Sequence, residues 1–256
     1  MKSLDLWCAY PDDLLAEEVA EACAAVVSEE ELARCRRFRF DNNRREALTT
    51  RALSRIALSH YYPLPPQAWR FTANAQGKPA IDPVIDPDCK LKFNLSNSPE
   101  LVVCLISDGA EVGVDVESFA RAGRILELAP EVLSALERAG LDRLPEIASR
   151  PGADRPGRAL SLWTLKEAYI KARGQGLALP LDKISFLFGG DEGVRLELDP
   201  ELEDDSARWQ FCLLDHAGHR IAAMTERRAA DELEMWEVRG VLGPPARVTS
   251  RLFQRG

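Results

Sequence analysis

Residues 113–117 read GVDVE and follow the apolar run LVVCLI after an Asp-Gly pair at 108–109. Asp-Gly between two apolar runs favours a tight hairpin turn, so two neighbouring strands are predicted here. Because side chains alternate between the faces of a strand, Asp115 and Glu117 should leave the same face about 7 Å apart. Two carboxylates on one face are half of a site for a hard metal ion, although alternating acids more often mark a solvated strand face.

Residues 163–177 read WTLKEAYIKARGQGL, within a segment whose apolar spacing predicts a helix over 160–173 that ends at Gly174. Glu167 and Lys171 are four residues apart and therefore share one face of this helix. Alone, they indicate an ordinary surface ion pair. Together with the two strand acids they offer three carboxylates for a divalent metal and one ammonium for a phosphate oxygen. Phosphoryl transfer needs little more, because positioning and charge neutralisation supply most of its rate and the nucleophile can come from a partner.

The rest of the chain alternates between helical and extended patterns. Two helices are predicted before residue 62, at 13–27 and 44–61, and the segments at 69–81 and 90–98 are typical of strands, with a turn at Gln76-Gly77. A Pro/Gly/Arg-rich loop at 149–159 precedes the long helix, and four short strands are predicted after it, at 181–188, 194–199, 208–215 and 219–226. The order helices, strands, helices, strands predicts an α+β protein of two comparable halves. We place the boundaries at 1–110, 111–240 and 241–256, the last being a tail.

Composition excludes several classes of protein. The net charge of −8 disfavours general nucleic-acid binding, which depends on a basic surface. No apolar run approaches the ~20 residues of a membrane helix, and residues 1–10 lack the pattern of an export signal. The six cysteines are widely spaced without a C-x-x-C pair, so neither a metal site nor a disulfide scaffold is expected. We expect reduced thiols in a cytoplasmic protein.

Both deciding stretches resemble the two signature motifs of the surfactin-type 4'-phosphopantetheinyl transferases, G-[IV]-D-[IV]-E and W-[ST]-x-K-E-A-x-x-K. Every fixed position of these motifs is matched. Three shorter matches occur in family order: CRRF at 35–38, GKP at 77–79 and FNLSNS at 93–98. The resemblance implies a monomeric fold of two similar subdomains, each a small antiparallel sheet with packed helices, related by a pseudo-twofold axis.

The resemblance also implies the chemistry. Asp115, Glu117 and Glu167 would hold Mg²⁺ against the diphosphate of coenzyme A, with Lys171 on the same phosphates. Glu167, or a water that it orients, would take the proton of the carrier serine, so the expected catalytic residues are Glu167, Lys171 and Asp115. The product would be a carrier protein bearing the phosphopantetheine arm, together with adenosine 3',5'-bisphosphate.

The nucleotide of coenzyme A would lie against the first half of the chain. By the same resemblance Lys78 should contact its 3'-phosphate, with Ser96 and Asn97 beside it. The family usually has histidine where this chain has Asn97. Because asparagine can donate a hydrogen bond but cannot become a cation, we expect a weaker grip on the 3'-phosphate and less preference for coenzyme A over its 3'-dephospho form.

Six arginines crowd residues 34–45, with Asp41 as the only acid among them. Taken alone, such a charge run indicates a solvated helix face. The resemblance places this region near the nucleotide and near the acidic helix of the carrier protein. We therefore predict that Arg44 and Arg45 bind coenzyme A and that the carrier is bound by Arg34, Arg37, Arg121 and Arg124.

Two other functions compete with the transferase. A non-catalytic module that binds coenzyme A or a carrier would have little use for three metal-directed carboxylates. A magnesium-dependent phosphohydrolase would pass the phosphate to water, but no in-chain nucleophile or positioned histidine accompanies the motifs.

Overall fold

The structure is a computed structural model that describes residues 4–144, 154–176, 179–189, 193–227, 233–238, 245–247 and 251–255. The chain divides into two compact units. Unit 1 comprises Met1–Val112 and Arg228–Thr249, and unit 2 comprises Gly113–Arg227 and Ser250–Gly256. Both units combine helices with sheets, which confirms the predicted α+β class with two parts.

The helices are α1 (Glu17–Val26), α2 (Glu29–Arg36), α3 (Asp41–Tyr61), α4 (Ala122–Val132), α5 (Ala135–Leu141) and α6 (Arg155–Arg173). The strands are β1 (Leu4–Ala9), β2 (Phe71–Ala73), β3 (Pro79–Ile81), β4 (Leu91–Asn97), β5 (Val102–Asp108), β6 (Val112–Ser118), β7 (Ile184–Phe188), β8 (Val194–Leu198), β9 (Trp209–His216), β10 (His219–Glu226), β11 (Leu233–Val238), β12 (Ala246–Arg247) and β13 (Arg251–Arg255). Among the described residues, no helix is long and apolar enough to cross a membrane.

Unit 1 is built on a five-stranded sheet in the order β12-β11-β1-β5-β4. Helix α3 packs against β1, β4 and β5, because its buried residues, such as Leu53 and Leu58, recur on one face. Trp7, Trp69 and Phe93 complete this core. The core therefore fixes the orientation of β4, whose last residues are the predicted contacts of the nucleotide.

The C-terminal residues depart from the boundaries predicted from sequence. Strand β11 pairs in parallel with β1, so residues 233–238 belong to the sheet of unit 1, which is mixed and not purely antiparallel. The segment expected to be a tail includes β12, which pairs with β11, and β13, which pairs with β9. Backbone pairing with strands far away in sequence explains the difference, since no local pattern reports it.

Unit 2 contains a four-stranded sheet in the order β13-β9-β10-β6 and a separate β7–β8 hairpin. Helix α6 packs against β10, and its buried Leu165 and Tyr169 join Phe186 and Trp209 in one core. The helix begins five residues before the predicted start. Asp154 accepts a hydrogen bond from the backbone N–H of Gly157 at 2.8 Å, and a proline occupies the first turn. Residues 149–153 of the predicted loop lie outside the described residues.

Candidate active site

The site of unit 2 depends on a close approach between β6 and α6. A Cβ atom at Gly113 would overlap the carbonyl oxygen of Ala168 and the backbone nitrogen of Ala172. Only glycine therefore lets the strand lie this near the helix backbone. The approach brings the acids of GVDVE beside the charged face of α6.

Asp115 and Glu117 are buried, with 5% and 6% of their surface exposed. Lys171 donates from Nζ to Oδ1 of Asp115 at 2.7 Å. Glu117 accepts from the indole Nε1 of Trp163 at 3.0 Å and from Arg121 at 2.5 Å. Asp115 is thus oriented by Lys171, a predicted catalytic residue, and Glu117 is oriented by Trp163 and Arg121.

The pKa of Glu167 depends on the charges of both strand acids. Burial, followed by the negative charge of Asp115, raises the pKa of Glu167 to about 7, and Lys171 only partly offsets this. Burial and the charge of Asp115 also raise the pKa of Glu117, against the effect of Arg121 and Trp163. The three carboxylates predicted from sequence are therefore brought together closely enough to repel one another, and we call them the acid cluster: Asp115, Glu117 and Glu167.

The donor set of the acid cluster is chemically suited to Mg²⁺, which prefers oxygen ligands and needs only one or two carboxylates besides water and phosphate. A cation would relieve the repulsion that raises the pKa of Glu167. The positions of these three side chains in the structure, however, are not those of metal ligands. Among the residues that the structure describes, no three Asp, Glu, His or Cys side chains are arranged around a common point as metal ligands. Instead, Lys171 and Arg121 form ion pairs with Asp115 and Glu117.

Lys78 lies in unit 1, in the turn between β2 and β3. The side chain of Asn74 accepts from the backbone N–H groups of Gln76 and Lys78 at 3.0 and 2.9 Å, and Gly77 has a positive φ of 85°. This is the turn predicted from Gln76-Gly77. It aims Lys78 at Glu111, with 2.8 Å between Nζ and Oε2.

Glu111 bridges two lysines, because Lys92 also approaches it at 3.1 Å. Burial alone would raise the pKa of Glu111, but the hydrogen bonds and charges of Lys78 and Lys92 outweigh it and hold this pKa below its usual value. The three residues line a cavity of about 330 Å³ together with Asn74, Cys89 and Phe93.

Ser96 and Asn97 lie at the opposite end of β4 from this cavity. Five residues at about 3.3 Å each separate Lys92 from Asn97 by roughly 16 Å along the strand. Asn97 is exposed and donates from its side-chain Nδ2 to the carboxylate of Glu46 on α3. Ser96 is buried whereas its neighbour Asn97 is exposed, because consecutive side chains of β4 leave opposite faces, and Lys78 lies near the other end of the strand.

Two family models match this chain. Residues 111–224 match the 4'-phosphopantetheinyl transferase superfamily and residues 16–108 match the N-terminal region of 4'-phosphopantetheinyl transferases. The 4'-phosphopantetheinyl transferase Sfp of Bacillus subtilis is 31% identical over 189 residues, which cover 74% of this chain and 79% of that protein. The chain belongs to the 4'-phosphopantetheinyl transferase superfamily. It is therefore a transferase that places phosphopantetheine on carrier proteins.

Two further relatives of this transferase extend the match. HetI of Nostoc is 30% identical over 72% of this chain and 74% of its own length, and psf-1 of Bacillus pumilus is 29% identical over 86% and 88%. Among solved structures, the holo-[acyl-carrier-protein] synthase of Thermotoga maritima covers 46% of this chain and 64% of its own with 21% identity and a TM-score of 0.36. That likeness is too low to support a conclusion.

One signature residue of the transferase does not reach the acid cluster. Lys166 is completely buried and pairs with the equally buried Glu137 at 2.6 Å. It also donates to the carbonyl oxygens of Val132 and Leu181, at 2.9 and 2.7 Å. Lys166 therefore joins α6 to α4 and α5 and has a structural role. Sequence reasoning missed this pair, because the capping box formed by Ser134 and Glu137 marks the start of α5 but does not report the distant partner of Glu137.

The arginines predicted to bind coenzyme A have partners within unit 1. Arg44 donates to the carbonyl oxygen of Phe38 at 2.6 Å and pairs with Asp41, so it secures the loop before α3. Arg45 donates to Asn42 at 2.7 Å and approaches Asp12 at 3.4 Å.

The arginines predicted to bind the carrier differ in their surroundings. Arg34 is exposed and pairs with Glu30 one turn earlier in α2, while Arg37 is exposed at the end of that helix. Arg124 is exposed and pairs with Glu127. Arg121 pairs with Glu117, so this residue lies at the acid cluster itself.

Proposed function

We propose that this transferase moves the 4'-phosphopantetheine arm of coenzyme A to a serine of an apo acyl or peptidyl carrier protein, releasing adenosine 3',5'-bisphosphate. The observation that carries the proposal is the convergence of Asp115, Glu117 and Glu167, whose mutual repulsion contributes to the raised pKa of Glu167 and would be relieved by a cation that also binds a diphosphate. A mere binding module would gain nothing from three mutually repelling carboxylates.

We propose Asp115, Glu117 and Glu167 as the residues that would hold Mg²⁺. When bound, the ion supplies positive charge that stabilises the diphosphate and the departing nucleotide. The ion pairs of Asp115 with Lys171 and of Glu117 with Arg121 act as counter-charges to the same acids.

Lys171 would then turn its ammonium to a phosphate oxygen, as a point charge suited to that role. Glu167 would accept the proton of the carrier serine, directly or through a water molecule. Burial and the charge of Asp115 raise the pKa of Glu167 in the metal-free protein, and a bound cation would lower it again, so that Glu167 would be ionised and able to accept a proton. The serine oxygen forms the new bond to phosphorus, and the anhydride oxygen leaves with the nucleotide.

For the nucleotide we propose that Ser96 and Asn97 contact the 3'-phosphate. Lys78 is proposed to contact a different part of coenzyme A, because its ammonium group pairs with Glu111 beside Lys92, at the opposite end of β4 from Asn97. The proposed roles of Arg44 and Arg45 in binding coenzyme A would require them to leave their present partners.

Carrier binding is proposed for Arg34, Arg37, Arg121 and Arg124: three of these side chains are more than half exposed, and the fourth, Arg37, lies at an exposed helix end. Such cations would attract an acidic carrier helix and raise the association rate in a salt-dependent manner. We further propose a monomer that acts in the cytoplasm, where the six free thiols would stay reduced.

The test is incubation of the protein with coenzyme A, Mg²⁺ and several apo-carriers, followed by intact-mass measurement. We expect each accepted carrier to gain the mass of one phosphopantetheine arm. Glu167→Ala should abolish the gain, because both a ligand and the base are lost.

Glu203→Gln is the matched control, since it removes an exposed carboxylate of unit 2 that lies outside the site. It should modify carriers at the rate of the unaltered protein. Binding of coenzyme A without any mass gain on any carrier would refute the transfer reaction and favour a binding module.

A further inference from the structure

Asn97, the residue proposed to contact the 3'-phosphate of coenzyme A, is hydrogen-bonded to an acid. Its side-chain Nδ2 donates to Oε1 of Glu46, which lies one helical turn after Asn42 on α3. A phosphate that reached this amide would have to displace the carboxylate or share the donor with it. In either case a dianion would lie within a few ångströms of a second anion.

Nothing in the described part of the chain neutralises Glu46 by an ion pair. The two arginines that precede it in the helix are directed elsewhere, Arg44 to Asp41 and Arg45 to Asp12. Since like charges at short range repel even in a solvated setting, the carboxylate of Glu46 should oppose a phosphate at Asn97.

The other predicted phosphate donor is also engaged by an acid. Lys78 pairs with Glu111, but that carboxylate is shared with Lys92, so two ammonium groups face one acid. Two ammonium groups thus face one carboxylate at this end of β4, whereas at the other end the side chain of Asn97 itself faces the carboxylate of Glu46. Glu46 is therefore the residue that determines how strongly an anion binds beside Asn97.

We infer that Glu46 selects against the 3'-phosphate, so that 3'-dephospho-coenzyme A serves as a phosphopantetheine donor at least as efficiently as coenzyme A. The inference rests on the proposed function and on the assignment of Asn97 to the 3'-phosphate. It names a residue that no signature motif contains and extends the range of donors to pantetheine nucleotides without a 3'-phosphate.

The reaction balances with either donor. The serine oxygen of the carrier forms a bond to the pantetheine phosphorus, and the bond from that phosphorus to the bridging oxygen breaks. The leaving group is adenosine 5'-monophosphate with the dephospho donor and adenosine 3',5'-bisphosphate with coenzyme A. The serine proton goes to the same base in both cases, so the difference between donors resides in binding.

The experiment compares kcat/KM for coenzyme A and for 3'-dephospho-coenzyme A in the unaltered protein and in Glu46→Gln. The unaltered protein should use the dephospho donor at least as well. Glu46→Gln keeps the shape and removes the charge, and it should raise kcat/KM for coenzyme A about three- to tenfold through KM, leaving the dephospho donor unchanged. Glu111→Gln should raise kcat/KM for coenzyme A by a smaller factor, because Lys78 and Lys92 already outnumber that one acid.

Glu18→Gln, which removes an exposed charge from α1, controls for net charge and should change neither donor. A higher kcat/KM for coenzyme A than for the dephospho donor in the unaltered protein would overturn the inference. So would an equal effect of Glu46→Gln on both donors, or an effect of Glu18→Gln equal to that of Glu46→Gln.

Direct binding separates this inference from the proposed function. Calorimetry with adenosine 3',5'-bisphosphate and adenosine 5'-monophosphate needs no carrier and no turnover. If no carrier is modified by either donor, the transfer reaction fails. The role of Glu46 is then decided by whether Glu46→Gln tightens binding of the bisphosphate alone, which supports it, or of both nucleotides or neither, which refutes it.

Discussion

Helix α6 directs Trp163 and Lys171 towards β6 and directs Lys166 towards α4 and α5. On the β6 side the charges are partly accessible: the Lys171 side chain is 27% exposed, and its partner Asp115 belongs to the acid cluster. On the other side Lys166 and Glu137 are both 0% exposed, and backbone carbonyls satisfy the remaining protons of the lysine. Two lysines five residues apart thus face two different environments.

The difference teaches that a signature motif mixes residues for chemistry with residues for position. A buried ion pair contributes little net stability compared with apolar residues of the same size, but loss of one partner strands the other charge. Lys166 therefore fixes where α6 lies, and Lys171 and Glu167 act from the helix so placed. Motif membership alone does not separate the two roles, whereas burial does.

The largest expected effect comes from changing the two lysines separately. Lys166→Met should lower the free energy of unfolding by about 3–5 kcal/mol, because Glu137 would remain buried without its counter-charge. Lys171→Met should cost less stability, because Lys171 is 27% exposed and the acid it leaves is not fully enclosed, but it should lower kcat for carrier modification by about 10²-fold, since a charge on the phosphates is lost. Chemical denaturation and steady-state kinetics measure the two quantities.

A double variant sharpens this result. Glu137→Gln added to Lys166→Met removes the stranded charge, while the glutamine oxygen can still accept from the backbone of Phe186. Part of the lost stability should return. If Lys166→Met instead keeps full stability and loses only kcat, Lys166 acts in the chemistry and the comparison of the two faces is broken.

The next effect concerns the contact between β6 and α6. Gly113→Ala should cost about 1–3 kcal/mol of stability, because the new methyl group overlaps the backbone of Ala168 and Ala172. It should also lower activity by moving Asp115 away from α6. The matched control is Gly140→Ala in α5, where a Cβ meets nothing within 4 Å and alanine should be neutral or slightly stabilising. Thermal melting of both variants would show the contrast, and equal melting temperatures would count against the close approach.

Sequence periodicity predicted α3, α6 and the strands from β4 to β10, because each has a clear apolar pattern or turn signal. It missed β1, whose six residues are all buried and therefore do not alternate. It also missed α2, an acidic and basic helix with only Cys35 buried, although the capping box of Ser28 and Glu31 marks its start. Short elements that depend on distant partners leave a weak local signal.

The candidate site was predicted only in part, because some of its contacts also join residues that are distant in the sequence. Asp115, Glu117, Glu167 and Lys171 follow from spacing on a strand and a helix together with the family motifs. The pairing of Lys166 with Glu137, 29 positions earlier in the chain, does not follow, because a lysine in a helix is ordinarily solvated. The contact of Asn97 with Glu46 joins residues 51 positions apart and is likewise a product of packing.

The smallest expected effect lies at the C-terminal turn of α6, where Asp204 anchors the helix. Oδ2 of Asp204 accepts from the hydroxyl of Tyr169, from Arg173 and from the indole of Trp209, at 2.7, 2.7 and 2.9 Å. Burial alone would raise the pKa of Asp204, but these hydrogen bonds and the charge of Arg173 outweigh it and lower the pKa below its usual value. Asp204→Asn should cost about 1.5 kcal/mol at neutral pH, the usual contribution of hydrogen bonds to a charged acceptor.

The pH dependence of that cost distinguishes an anchoring charge from simple packing. A carboxyl group whose pKa is lowered on folding stabilises the native state above its unfolded pKa of about 3.9, and this contribution is lost as the pH falls through the folded pKa. The stability difference between the unaltered protein and Asp204→Asn should therefore be constant above about pH 5 and shrink below pH 4. Urea denaturation across this range measures it. A stability difference that stays the same down to pH 3 would mean that the shape of the Asp204 side chain, and not its charge, holds this end of α6. Charged residues of α6 would then act only at the two faces that carry Lys171 and Lys166.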